Sequence, residues 1–85
     1  MEHLELFESG KTKMTEAKPM FLQATTKKEA EKAIYMFREG INLLQKAYVE
    51  TVDMKFKTIY NQWIGKEESY LTKMEFLKSY GKKPD

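Results

Sequence analysis

Apolar residues recur every three or four positions along this chain, in three blocks. No segment alternates apolar and polar residues as a half-buried strand would. The first block runs from about Glu2 to Ala24, with Leu4, Phe7, Met14, Ala17, Phe21 and Ala24 at helical spacing. Gly10 and Pro19 interrupt it. Proline inside a helix removes a backbone donor and crowds the preceding turn, which leaves two expectations open: one bent helix, or two short ones.

The second block opens on Thr26-Lys27-Lys28-Glu29. This is a capping-box pattern, in which the threonine hydroxyl accepts from the amide three residues on and the glutamate reaches back. The helix it starts is expected to run to about Glu50. At about 100° per residue, Ala33, Leu44 and Tyr48 lie in the direction of Phe37. Ile34 and Ile41 sit on one flank, and Gly40, Ala47, Met36 and Leu43 extend to the other. The apolar arc covers about half the circumference, wider than the roughly 100° stripe of an ordinary surface helix. Such a helix is either central, touching both neighbours, or it carries spare apolar surface for a partner.

The third block begins near Asp53, with Thr51 or Asp53 as the expected N-cap, and runs to about Tyr80. Gly81 is a natural stop, and residues 81–85 read as the start of a linker. Trp63 marks the predicted core direction, with Phe56, Ile59, Tyr70, Met74 and Leu77 around it. Tyr60, Ile64 and Leu71 lie to one side at about 60–100°, followed by Glu68 and Glu75, which makes an apolar shelf with an acidic edge. Gly65 interrupts this helix at a cost of about 1 kcal/mol relative to alanine, and would let another backbone come close. Three helices with short connections predict an all-α fold, a three-helix antiparallel up-down-up bundle over residues 1–80.

Composition narrows what such a bundle does. The 85 residues allow one domain with a modest core. The absence of cysteine excludes a disulfide framework and a thiolate zinc site. No apolar run approaches the roughly 18 residues of a membrane span, so no direct membrane insertion is expected. Met1-Glu2-His3-Leu4-Glu5 lacks the basic-then-apolar order of a signal peptide. The net charge is +2, from 15 basic and 13 acidic residues that are interspersed almost everywhere. Nucleic-acid binders concentrate their basic residues on one face, whereas Lys27-Lys28 and Lys82-Lys83 read as solvated ends. No nucleic-acid partner is expected.

Catalytic patterns are scarce. His3 is the only histidine and is expected to be a solvated tail residue. Glu67 and Glu68, being adjacent on a helix, diverge by about 100° and do not face each other. No Glu-x-x-His pattern, phosphate loop or dinucleotide fingerprint occurs. The chain is therefore expected to be no enzyme and to need no cofactor. Phe37, Phe56 and Tyr70 fall on core-facing stripes, which favours packing over stacking on bases. Met14, Met20, Met36, Met54 and Met74 read as core filler, a residue type that also suits adaptable binding surfaces.

Ala33-Ile34-Tyr35-Met36-Phe37-Arg38-Glu39-Gly40-Ile41-Asn42-Leu43-Leu44 resembles the second helix of MIT domains, the microtubule-interacting and trafficking modules. Tyr70-Leu71-Thr72-Lys73-Met74-Glu75-Phe76-Leu77-Lys78 is similar to that family's third-helix signature, Tyr-Leu-x-Arg-Ala-Glu-x-Leu-Lys. The resemblance implies a three-helix bundle that binds short motifs in the C-terminal tails of ESCRT-III-type proteins. In that family one motif lies as a helix between helices two and three, and another lies extended between helices one and three. By residue match, Leu71 would be a wall of the helix-binding groove and Glu75 would meet a basic residue of the motif. Met74 stands where the family has alanine and Lys73 where it has arginine. The first helix matches poorly, so nothing is carried over to the second groove.

The leading expectation is a peptide-binding module, monomeric in isolation and cytoplasmic, recruited to endosomes or other membrane-remodelling sites. The expected site comprises Ile41, Leu44, Ile64, Glu67, Leu71, Met74, Glu75 and Lys78, where a partner's amphipathic helix would set spaced leucines. The alternative is a self-associating scaffold, with the wide arc of the second helix as its interface. A nucleic-acid-binding bundle comes third, supported only by the slight basic excess and the aromatic content.

Overall fold

The protein is described here by a computed structural model covering residues 2–80, with the backbone alone for Tyr80. The expected stop at Gly81 and the linker at 81–85 lie outside the described residues. Three helices follow one another: α1 (Glu2–Gln23), α2 (Lys27–Glu50) and α3 (Met54–Tyr80). α1 packs on α2 and α2 on α3, which is the up-down-up bundle that the spacing predicts.

Local chemistry sets the ends of these helices. Thr26 has extended backbone angles and its hydroxyl accepts from the Glu29 amide at 3.1 Å. The Glu29 carboxylate accepts from the Thr25 amide at 3.2 Å and from the Thr25 hydroxyl at 2.7 Å. The box is therefore shifted by one residue from the simplest form, with Glu29 reaching the amide before the cap. At the other end of α2, the Thr51 amide donates to Ala47 O at 3.1 Å. Of the two N-cap candidates for α3, Asp53 takes the role, since its carboxylate accepts from the Lys55 amide at 2.9 Å. Thr51 instead ties the turn, accepting from the Asp53 amide at 3.2 Å. Lys57 then clamps the turn from α3, donating to Tyr48 O at 2.8 Å beside the negative end of the α2 dipole.

Pro19 does not break α1, which continues through it as one helix. Proline leaves the carbonyl four residues earlier without its helical donor. Both Pro19 and Thr15 lie on the exposed side of the helix, so that carbonyl is not left unpaired in the core. Gly10 also does more than interrupt α1. Gly10 and Gly40 are both buried and face each other where α1 crosses α2. A Cβ built on Gly10 would lie 2.7 Å from Gly40 O, and one on Gly40 would lie 2.8 Å from Gly10 O. Only hydrogen fits between the two backbones. Ala17, Ala30, Ala33 and Ala47 are fully buried, so small side chains dominate this close pair of helices.

α3 packs along α2 and reaches α1 through side chains. Phe7 packs on Tyr60 and Trp63, with ring centroids 4.7 and 5.8 Å apart. Phe37 of α2 stacks on Tyr70 at 5.5 Å. His3 is not a solvated tail residue. It is buried, 5.0 Å from the Phe56 ring centroid, with Nδ1 2.8 Å from the Tyr60 hydroxyl. Its apolar neighbours and the hydroxyl partner hold the first turn of α1 against α3.

The rotation of α3 also differs from the expectation. Tyr60, Ile64 and Met74 are core, Phe56, Trp63, Tyr70 and Leu71 are half-buried, and Ile59 and Leu77 are 44% and 39% exposed. The buried direction is thus turned from Trp63 toward Ile64. α3 packs mainly against α2 and also touches α1: Tyr60 and Trp63 meet Phe7 of α1, and Tyr70 stacks on Phe37 of α2.

Candidate functional site

That rotation decides the fate of the expected site. Ile41, Leu44, Ile64, Glu67 and Met74 are interior residues. Being buried, they do not line an open trough between α2 and α3. The breadth of the α2 arc has the first of its two explanations: α2 is central and touches both neighbours. Burying a side chain such as Leu44 stabilises the bundle by about 2 kcal/mol, so a partner cannot reach these residues without separating the helices.

Leu71, Glu75 and Lys78 remain at the outer edge of the seam. Leu71 is half-buried, seated just above the covered shelf. Two ion pairs cross the seam beside it. The Arg38 guanidinium donates to the Glu75 carboxylate, and Lys78 Nζ lies 3.7 Å from Glu31 Oε1. Arg38 and Glu31 are the contributions from α2 that sequence reasoning missed. Their helical positions, seven apart on the margin of the apolar arc, were the available signal.

Glu67 belongs to a different place. It is 2% exposed and its partner is Lys18 of α1, with Nζ 3.4 Å from Oε2. The contact is an ion pair without hydrogen-bond geometry at that oxygen. Lys18 Nζ also lies 4.7 Å from the Tyr70 ring centroid and 5.9 Å from that of Phe37. A cation over two aromatic faces and beside a buried carboxylate fastens α1 to α3. Glu67 is thereby a structural partner of Lys18 and faces away from the α2–α3 edge.

Among the described residues, Glu29 and Tyr60 titrate away from their ordinary ranges. Hydrogen bonds from the Thr25 side chain and amide, and then from Thr26, hold the Glu29 carboxyl below the usual carboxylate value. Burial, reinforced by the charge of Glu8, pushes the Tyr60 phenol up. A neutral Tyr60 donates to His3 Nδ1 when the ring proton is on Nε2. Among the described residues, no group of three His, Asp or Glu side chains is placed to hold a metal ion. No helix in the described part is long and apolar enough to cross a membrane.

Compared with known proteins, the chain matches no family model, no curated protein and no solved structure. The class defined by its fold is the all-α three-helix bundle, with α2 in the middle.

Proposed function

We propose that this bundle is a non-catalytic protein-interaction module of MIT type, and that it takes a short amphipathic helix along the outer edge of the α2–α3 seam. The partner in this proposal is the C-terminal tail of an ESCRT-III-type protein. Binding would recruit the parent protein from the cytoplasm to endosomal or other membrane-remodelling assemblies. The observation that carries the proposal is the position of Leu71: an apolar side chain left half-buried on the seam, with the acid Glu75 one turn further along α3. These are the two residues that the resemblance to MIT domains marks as ligand contacts.

The mechanism is helix-in-groove recognition on a shallow seam. Partner leucines would pack over Leu71, and a basic residue would approach Glu75. The interface is small, and immobilising a helix offsets much of the apolar gain. Affinity is expected to be micromolar or weaker, about −8 kcal/mol at most. The arc of α2 on which self-association would rest is occupied by α1 and α3, which favours the peptide proposal over the scaffold.

The test is NMR titration of the labelled domain with ESCRT-III tail peptides. Shifts are expected to cluster at Leu71, Glu75 and Arg38. Leu71→Asp is expected to abolish them while the far-UV circular dichroism stays helical, because the side chain is at the edge of the core. Shifts confined to another face, or none with any tail, would refute the proposal.

A further inference from the structure

We propose that Arg38 is a second specificity-determining residue of this seam, so that the partner must be an amphipathic helix carrying an acidic residue as well as a basic one. The inference rests on the seam proposal above and adds the partner's charge pattern. In the free bundle Glu75 is already engaged by Arg38, so the basic residue of a partner meets a carboxylate that has a cation. A partner bringing only a base displaces Arg38 into water and exchanges one ion pair for another. A partner bringing a base for Glu75 and an acid for Arg38 replaces one pair with two. Arg38 and Glu75 have side chains 55% and 41% exposed, so both are free to turn toward a helix lying on Leu71.

The signs along the seam also set direction. The α2 wall runs from acidic Glu31 to basic Arg38, and the α3 wall from basic Lys78 to acidic Glu75. The polarity across the seam therefore reverses between the two pairs. A partner helix laid the wrong way round puts like charges opposite each other, which is how charged flanks fix register and orientation at helix interfaces. The acid and base that serve Arg38 and Glu75 must project to opposite sides of a leucine stripe. Positions two apart on a helix diverge by about 200°, so the expected spacing is i and i+2.

The experiment uses the intact chain and designed helical peptides with leucines at i, i+3 and i+7. One carries the Glu/Arg pair two residues apart, one has Gln for that Glu, and one has the pair reversed. Dissociation constants come from fluorescence anisotropy, and the site from Leu71 amide shifts. The paired peptide is expected to bind roughly two- to fivefold more tightly than the Gln peptide, the range for an exposed ion pair. Arg38→Gln should erase that preference, and the double exchange Arg38→Glu with Glu75→Arg should favour the reversed peptide. If peptides shift Leu71 but their ranking ignores position 38, Arg38 does not read the partner and the inference fails while the seam proposal stands. If no peptide shifts Leu71, the seam proposal itself fails, and the role of Arg38 with it.

Discussion

The crossing of α1 and α2 gives the sharpest test of the fold, because one substitution type should act with opposite sign at two glycines. Inside a helix, glycine to alanine stabilises by about 1 kcal/mol through backbone entropy alone. At Gly65 nothing lies within 4 Å of the added methyl, so Gly65→Ala should deliver most of that gain. At Gly10 the methyl would sit 2.7 Å from Gly40 O, 3.2 Å from Leu44 Cδ2 and 3.3 Å from Leu43 Cβ. The nearest atom is backbone, so no rotamer change relieves it. Restoring ordinary contact at 3.4 Å requires the two helices to part by about 0.7 Å. A gap of roughly 0.5–1 Å forfeits a quarter to a half of each dispersion well on the facing surfaces, and overpacked cores typically lose about 1–3 kcal/mol.

Set against the propensity gain of about 1 kcal/mol, Gly10→Ala should destabilise by up to about 2 kcal/mol net, a fall in Tm of up to roughly 15 °C for a domain of this size. Gly40→Ala should do at least as much, because its methyl meets Gly10 O at 2.8 Å and the buried Met14 side chain. Urea and thermal unfolding followed by far-UV circular dichroism measure all three variants. If Gly10→Ala and Gly65→Ala shift stability in the same direction, the helices do not cross this closely and the packing argument is wrong.

Two further predictions concern titrating groups. Glu29 has a carboxyl held low in the folded state, so its contribution is present above its ordinary value of 4.5 and is lost as pH falls through the lower folded value. Melting temperature should therefore decline on acidification, and Glu29→Gln should flatten that arm of the profile. Thr26→Ala, which removes the cap itself, should cost about 1 kcal/mol at neutral pH in urea melts. Tyr60 is the opposite case: its phenol is raised, so its contribution is full below the ordinary value of 10.0 and is lost as pH rises through the folded value. Tyr60→Phe should remove that alkaline loss, and at neutral pH should cost about 1 kcal/mol because His3 loses its partner. Unchanged alkaline melting in Tyr60→Phe would show that the hydroxyl is not buried.

Helix positions were legible because helical spacing, caps and stops are local. Thr26 and Glu29 announce the start of α2 within four residues, and the same chemistry appears in space. Pro19 was ambiguous because proline fixes what its own turn lacks, and the outcome depends on whether the orphaned carbonyl faces water, which is a tertiary fact. His3 was misjudged for a related reason. Proximity to a terminus says nothing about the aromatic pocket formed by Phe56 and Tyr60, more than fifty residues away.

The candidate site was only partly legible because periodicity gives a helix's apolar face but not which neighbour covers it. When an arc is narrow, its centre is its buried direction. On α3 the apolar residues spread from Ile59 and Leu77 through Trp63 to Ile64, so several rotations bury similar area. The choice among them was made elsewhere, at Gly10 and Gly40. By letting α1 approach α2 to backbone contact, these glycines leave α3 to lie against α2, where Ile64 is covered and Ile59 is not. Two glycines on facing stripes of neighbouring helices, read together, imply that close approach. Leu71 stays at the half-buried edge of the α3 face, and the Arg38–Glu75 ion pair bridges α2 and α3. A partner helix on this seam would then be selected less by the depth of its leucines than by the charges beside them.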